Sequence, residues 1–235
     1  TATELHTSDD IEISVAPILS QEQLDFRCIG CPLPFAPETG LSEGLFINAE
    51  KIVLSDSLLG VQSGPFTLIA TESILLQGTD LIAGNVFAPN NAGDIIITTP
   101  VLTSTVGIKT RTNIFNGETF FNHNGISSSS IFSEADAGTI TITADAISLH
   151  ATSVGVNTFL SGPGKAGIID ITTNSLELLE MVYLSASVFS SRRDAGSINI
   201  NTNTLTLIGP YTSIESRSFN SYSPGDITKI GRAHV

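Results

Sequence analysis

The chain has only two cysteines and four histidines in 235 residues, and only 14% of its residues are charged. Two cysteines without a second Cys/His pair at similar spacing exclude a four-ligand structural zinc site. Basic residues are scarce: 10 Lys and Arg face 23 Asp and Glu, for a formal charge of −13. That balance argues against nucleic acid or an anionic membrane as partner, since both are met by basic surfaces. No apolar run approaches the ~18–20 residues of a helical membrane span. There is no signal-peptide pattern, and the first residue is Thr1, so a mature or internal fragment is expected. A sustained 3.6-residue apolar period is also missing, and the Thr, Ile and Ser bias disfavours helix.

What the chain does have is a repeat. The frames Gly64-Pro-Phe-Thr-Leu-Ile, Gly93-Asp-Ile-Ile-Ile-Thr, Gly138-Thr-Ile-Thr-Ile-Thr, Gly167-Ile-Ile-Asp-Ile-Thr, Gly196-Ser-Ile-Asn-Ile-Asn and Gly225-Asp-Ile recur 29 residues apart. The exception is Gly93 to Gly138, at 45, which is 29 plus a 16-residue insertion. A period of 20–50 residues marks a solenoid or array. Within a unit the apolar positions are spaced 2, 5 and 2: Ile140, Ile142, Ile147 and Leu149, then Ile169, Ile171, Leu176 and Leu178. Steps of two put these side chains on one face of a strand. The five-residue step holds turn formers such as Thr173-Asn-Ser175, so each unit reads as strand, corner, strand. A weaker third strand follows, ending in a bulky residue (Phe87, Phe132, Leu160, Phe189, Phe219) expected to fill an interior corner. The glycine suits a tight bend with positive φ.

One such unit has too little apolar surface to stand alone, whereas stacked units bury a continuous interior. The expected fold is all-β: a right-handed parallel β-helix of about 29 residues per coil with three short strands per coil. At ~4.8 Å per coil, the six intervals from Gly44 to Gly225 span about 29 Å. The β-helix is expected over residues 44–228, with an inserted loop at about 108–124. Residues 1–43 read as a degenerate first coil, with Ile11, Ile13 and Ile18 in the first three apolar positions, followed by a Cys- and Pro-rich loop. Residues 229–235 read as a non-native tail, because Ile230-Gly-Arg-Ala-His-Val235 matches the translation of a common sequencing-library adapter. Lys229 also breaks the apolar pattern where that tail would begin.

Units of the form Ala-Gly-Asp-Ile-x-Ile-x-Thr, followed by a Leu-x-Leu strand and a Ser/Thr-rich strand, resemble the repeats of filamentous haemagglutinin-type exoproteins. These are the secreted partners of two-partner secretion systems, and the likeness is to the long cyanobacterial forms. The resemblance covers roughly residues 44–228. It implies a right-handed β-helix exported through an outer-membrane β-barrel transporter and displayed on, or shed from, the surface of a Gram-negative-type cell. The implied role is adhesion to a host, neighbouring-cell or polysaccharide surface. The family's Asn-Pro-Asn-Leu and Asn-Pro-Asn-Gly secretion signatures are missing; Asn90-Asn-Ala-Gly93 and Asn122-His-Asn-Gly125 only echo them. The piece is therefore expected to be passenger repeat.

Cys28 and Cys31, separated by Ile-Gly, admit a small disulfide loop, free thiols, or a metal or redox site. Export would favour the disulfide, and the Pro32-Leu-Pro34 that follows argues against a thioredoxin-like strand-to-helix frame. Parallel β-helices also carry polysaccharide lyases and hydrolases, which is the alternative function. Glycoside hydrolysis needs two acids about 5–9.5 Å apart, but Asp94 and Asp226 are four coils, or about 19 Å, apart. Glu177 and Glu180 read as a solvated face. No catalytic group, metal site or cofactor is expected. A Thr-x-Thr ice-binding ladder is absent, since the outward pairs are mixed, as in Ile168/Asp170 and Ser197/Asn199. The insertion is the candidate contact element: Lys109, Arg111, Phe115, Phe120, Phe121 and His123 gather basic and aromatic groups on an acidic body. The plainer alternative is that its phenylalanines pack the loop onto the coil.

Overall fold

The computed structural model describes residues 3–6, 11–13, 44–61, 63–86, 90–107, 110–112, 119–121, 123–131, 135–159, 164–189, 193–219 and 223–234. Among these residues the chain is all-β, without helix. The long sheet runs Leu45–Ser55, Phe66–Gln77, Ile95–Thr105, Thr139–His150, Ile168–Leu179, Ser197–Ile208 and Ile227–His234, each strand parallel to the next. A second parallel sheet holds Leu58–Val61, Asp80–Ala83, Asn124–Ser127, Thr152–Gly155, Tyr183–Ser185 and Ser213–Glu215. A third holds Asn85–Val86, Ser130–Ile131, Thr158–Phe159 and Val188–Phe189. From Asp80 to Phe189 each repeat thus supplies one strand to each sheet in turn. Equivalent residues pair at the repeat interval, as in Ile140↔Ile169↔Ile198.

Strand boundaries differ from the sequence reading. The first two expected strands are one, since Thr139–His150 pairs with Ile168–Leu179 across the five-residue step and skips only Asp145. An odd step would ordinarily send Ile147 to the outer face. Two consecutive exposed residues, Asp145 and Ala146, restore the phase. In the preceding strand the skipped position is Pro100, where a missing N–H costs no ladder bond. Inward threonines mark this slip. Buried Thr99, Thr173 and Thr202 each donate to the carbonyl two residues on, at 3.3, 3.0 and 2.8 Å. The expected third strand is in turn two short ones.

The apolar columns lie as expected. Phe66, Ile95, Ile140, Ile169 and Ile198 form one fully buried column, and Leu81, Ile126, Val154 and Leu184 approach from the second sheet. Each such side chain contributes about 1.5–3 kcal/mol by leaving water.

Three expectations need correction. Gly93, Gly138, Gly167, Gly196 and Gly225 are not at positive φ; that conformation falls on Gly44, Gly78, Gly209 and Gly231, and on Asp56, Ala151, Glu180, Met181 and Tyr211. The frame glycines are required by close approach instead. A Cβ on any of them would fall well inside contact of the carbonyl oxygen of the frame glycine in the preceding repeat. Next, Phe189 and Phe219 do not fill the interior, and Phe87, Phe132 and Leu160 lie outside the described residues. Val188 is fully buried while Phe219 is 54% exposed, and Phe189 and Phe219 stack with centroids 4.6 Å apart. A two-residue strand has no alternation with which to fix its phase. Finally, Ile11 and Ile13 pair with Ile52 and Leu54, the third and fourth apolar positions, while Thr3–His6 takes the first two beside Leu45–Asn48. Ile18 lies outside the described residues.

At the other end, Ile227–His234 continues the long sheet with a register shift between Asn201 and Thr204. Lys229 pairs with Ile200 in the inward column, and its Nζ is buried without a hydrogen-bond partner.

Candidate functional site

The insertion leaves the body between the long and second sheets. It runs from Thr105, the last residue of one strand, to Asn124, the first of the next. In the following repeat the same two places, His150 and Thr152, are separated by Ala151 alone. The insertion therefore adds 17 residues here (19 steps against two), and a one-residue shortening before Gly138 brings the net to 16. It contains an antiparallel hairpin, Thr110–Thr112 with Thr119–Phe121, in which Phe120 lies opposite Arg111 and Phe121 opposite Thr110. The backbone thus brings together Arg111, Phe120 and Phe121 of the candidate set. His123 is half-buried at the exit. Lys109, Phe115, Cys28 and Cys31 lie outside the described residues.

Asn124 is the residue that reading the sequence missed. Its side chain is 3% exposed, with Nδ2 donating to Thr105 O at 2.7 Å and Oδ1 accepting Thr79 N–H at 3.0 Å. In flanking coils the same column holds Thr79 and Thr152. The available signal was therefore an Asn, directly after the insertion, where aligned repeats carry Thr.

Among the described residues, the acids that follow are each engaged by separate partners. Asp94 Oδ1 accepts Thr139 N–H at 2.7 Å, Asp136 Oδ1 accepts Lys165 N–H at 2.7 Å, and Asp194 Oδ1 accepts Ser223 N–H at 3.1 Å. Asp170 Oδ1 accepts from Asn199 Nδ2 at 2.7 Å. Glu215 Oε1 accepts from Tyr183 Oη, Ser213 Oγ and Arg217 at 3.0–3.2 Å. Glu180 lies 3.5 Å from His150 Nε2. Among the described residues no three His, Cys, Asp or Glu side chains are placed to hold a metal ion. Surface depressions of about 300 Å³ lie over the glycine column and over the outer Asp170–Asn199 face. No helix among the described residues is long and apolar enough to cross a membrane. Comparison with protein-family models, curated proteins and solved structures found no match for this chain.

Proposed function

We propose that this chain is a length of right-handed parallel β-helix from a secreted or surface-displayed exoprotein of the filamentous haemagglutinin type. On this reading it is passenger repeat, carried out of the cell by an outer-membrane β-barrel transporter. It acts by contact along its repeated surface with a host, neighbouring-cell or polysaccharide surface, and not by catalysis. The observation that carries the reading is the one-repeat register across three parallel sheets. A chain that adds one strand to each sheet per repeat exposes a long, regular outer face. Among the described residues the inserted hairpin sets one repeat apart from its neighbours in kind, and a loop leaving a rigid scaffold is where contact residues tend to sit.

The test uses the whole chain. Its adsorption to cells and to immobilised polysaccharides is compared with that of the Phe120→Ala/Phe121→Ala double variant. At least tenfold weaker adsorption of the double variant is expected. Equal adsorption would remove the hairpin from the contact surface. Release of new chain ends from pectin-like polymers would replace the adhesin reading with an enzymatic one. A far-UV circular-dichroism spectrum dominated by helix would remove the β-helix.

A further inference from the structure

The hairpin has to be held at its stem to present anything. In an ordinary repeat the stem is a single residue: Ala151 joins His150 to Thr152, and Thr152 Oγ1 donates back to His150 O at 2.9 Å. Thr79 repeats the arrangement, with Oγ1 donating to Leu54 O at 2.8 Å and lying 3.4 Å from Gln77 O. The inserted repeat has residues 106–123 between its two strand ends, so closing that loop has an entropic cost that short turns avoid.

Asn124 offsets it with groups a threonine lacks. Its Nδ2 donates to Thr105 O at 2.7 Å, binding the returning strand to the departing one. The same amide group lies 3.4 Å from His150 O in the coil above, while Oδ1 takes Thr79 N–H in the coil below. Its own N–H donates to Ala151 O at 2.9 Å. One buried side chain thus ties both ends of the insertion to each other and to both neighbouring coils. The bond from Thr79 N–H is buried and the bond to Thr105 O is part-buried, so losing a partner leaves a polar group of the 3%-exposed Asn124 unpaired.

We propose that Asn124 is the positioning residue of the hairpin, a clamp that fixes where and at what angle Thr110–Thr112 and Thr119–Phe121 leave the body. The clamp is independent of any ligand; only its importance for contact rests on the adhesin reading.

The experiment is hydrogen exchange and limited trypsin digestion on the full chain carrying Asn124→Ala, Asn124→Asp or Asn124→Thr. Asn124→Asp keeps an acceptor for Thr79 N–H but turns an oxygen toward Thr105 O and His150 O, so it removes the stem bond and the longer contact to His150 together. About tenfold faster exchange across 106–123 is expected in the Ala and Asp variants, with faster cleavage after Lys109 and Arg111. Exchange across 168–208 should stay unchanged. Asn124→Thr, whose hydroxyl still reaches a carbonyl, should recover part of the protection. Unchanged hairpin exchange in the Asp variant overturns the clamp, and so does faster exchange spread evenly over the distant coils. Neither outcome bears on the adsorption experiment, which stands or falls on Phe120 and Phe121.

Discussion

Gly167 is the sharpest place to perturb the stack. A Cβ there would lie 2.9 Å from the Gly138 carbonyl carbon and 3.1 Å from Val156 Cβ, and closer still to Gly138 O, against ordinary contacts of 3.4–4 Å. The obstruction is backbone, so no rotamer change relieves it. Coils spaced ~4.8 Å apart would have to separate locally by on the order of 1 Å. That movement strains the bonds from Gly167 N–H to Val156 O (3.0 Å) and from Ser197 N–H to Gly167 O (3.3 Å). Overpacking costs about 1–3 kcal/mol, and each weakened buried backbone bond adds about 1 kcal/mol. Gly167→Ala should therefore destabilise by about 3–5 kcal/mol. Gly60 is the control. It is also in a strand, but its Cβ would meet Ile82 O at 3.5 Å and Ile82 Cβ at 3.7 Å, ordinary distances. Gly60→Ala should be neutral or gain up to about 1 kcal/mol, because alanine restricts the unfolded chain. With no tryptophan present, urea unfolding followed by far-UV circular dichroism is the assay, and hydrogen exchange localises the effect. Equal costs at the two glycines, or a Gly167→Ala variant within about 0.5 kcal/mol of the parent, would refute the close-approach account.

Two further substitutions test other parts of the stack. Lys229→Leu restores an apolar residue to the column continued from Ile142, Ile171 and Ile200 and removes a buried ammonium without a partner; a gain of about 1–3 kcal/mol in the protection of Ile227–His234 is expected by hydrogen exchange. Asp136→Asn keeps the oxygen that accepts Lys165 N–H and should leave stability within about 0.5 kcal/mol, whereas Asp136→Ala should cost about 1 kcal/mol by chemical denaturation.

The parts of the fold legible in the sequence were those encoded redundantly. The 2-5-2 spacing recurs in the units that follow Gly138, Gly167 and Gly196, and these agree on the same inward columns, from Ile140 to Leu205; in the Gly64 unit the middle step is six, from Leu68 to Ile74, and the register shifts against both neighbours. The glycine frame was equally visible, yet its physical cause was not. A repeated glycine reads the same whether it supplies a positive φ or clears space for the coil below, and only the inter-coil contact distinguishes the two. The left-handed turns meanwhile fell on residues no glycine rule would select, such as Ala151 and Glu180. Phe189 sits in a strand too short to carry a phase, and Phe219 follows a single isolated bridge at Ser218, so neither position is fixed by alternation. The run Ser127-Ser-Ser-Ser130 looks like surface but is buried. Ser128 Oγ accepts Gly138 N–H at 3.0 Å and donates to Gly93 O at 2.6 Å, holding the glycine column from inside. At the candidate site, the aromatic and basic residues of the hairpin stood out by composition, while Asn124 is an ordinary loop asparagine until its repeats are aligned.

The acidic balance of the chain acquires a structural meaning beside that column. Two residues before successive frame glycines stand Asn91, Asp136, Lys165, Asp194 and Ser223. Asn91 Oδ1 accepts Asp136 N–H at 3.1 Å, Asp136 accepts from Lys165, and Asp194 accepts from Ser223. Asn91, Asp136 and Asp194 thus each satisfy a backbone donor one repeat on. Like charges ~4.8 Å apart would repel, and the column avoids this: no two of its acids are consecutive, because Lys165 separates Asp136 from Asp194. A hydrolytic site makes the opposite demand, two acids a few ångströms apart and aimed at an open cleft. Carboxylates committed to the neighbouring repeat's backbone hold the repeats in register instead.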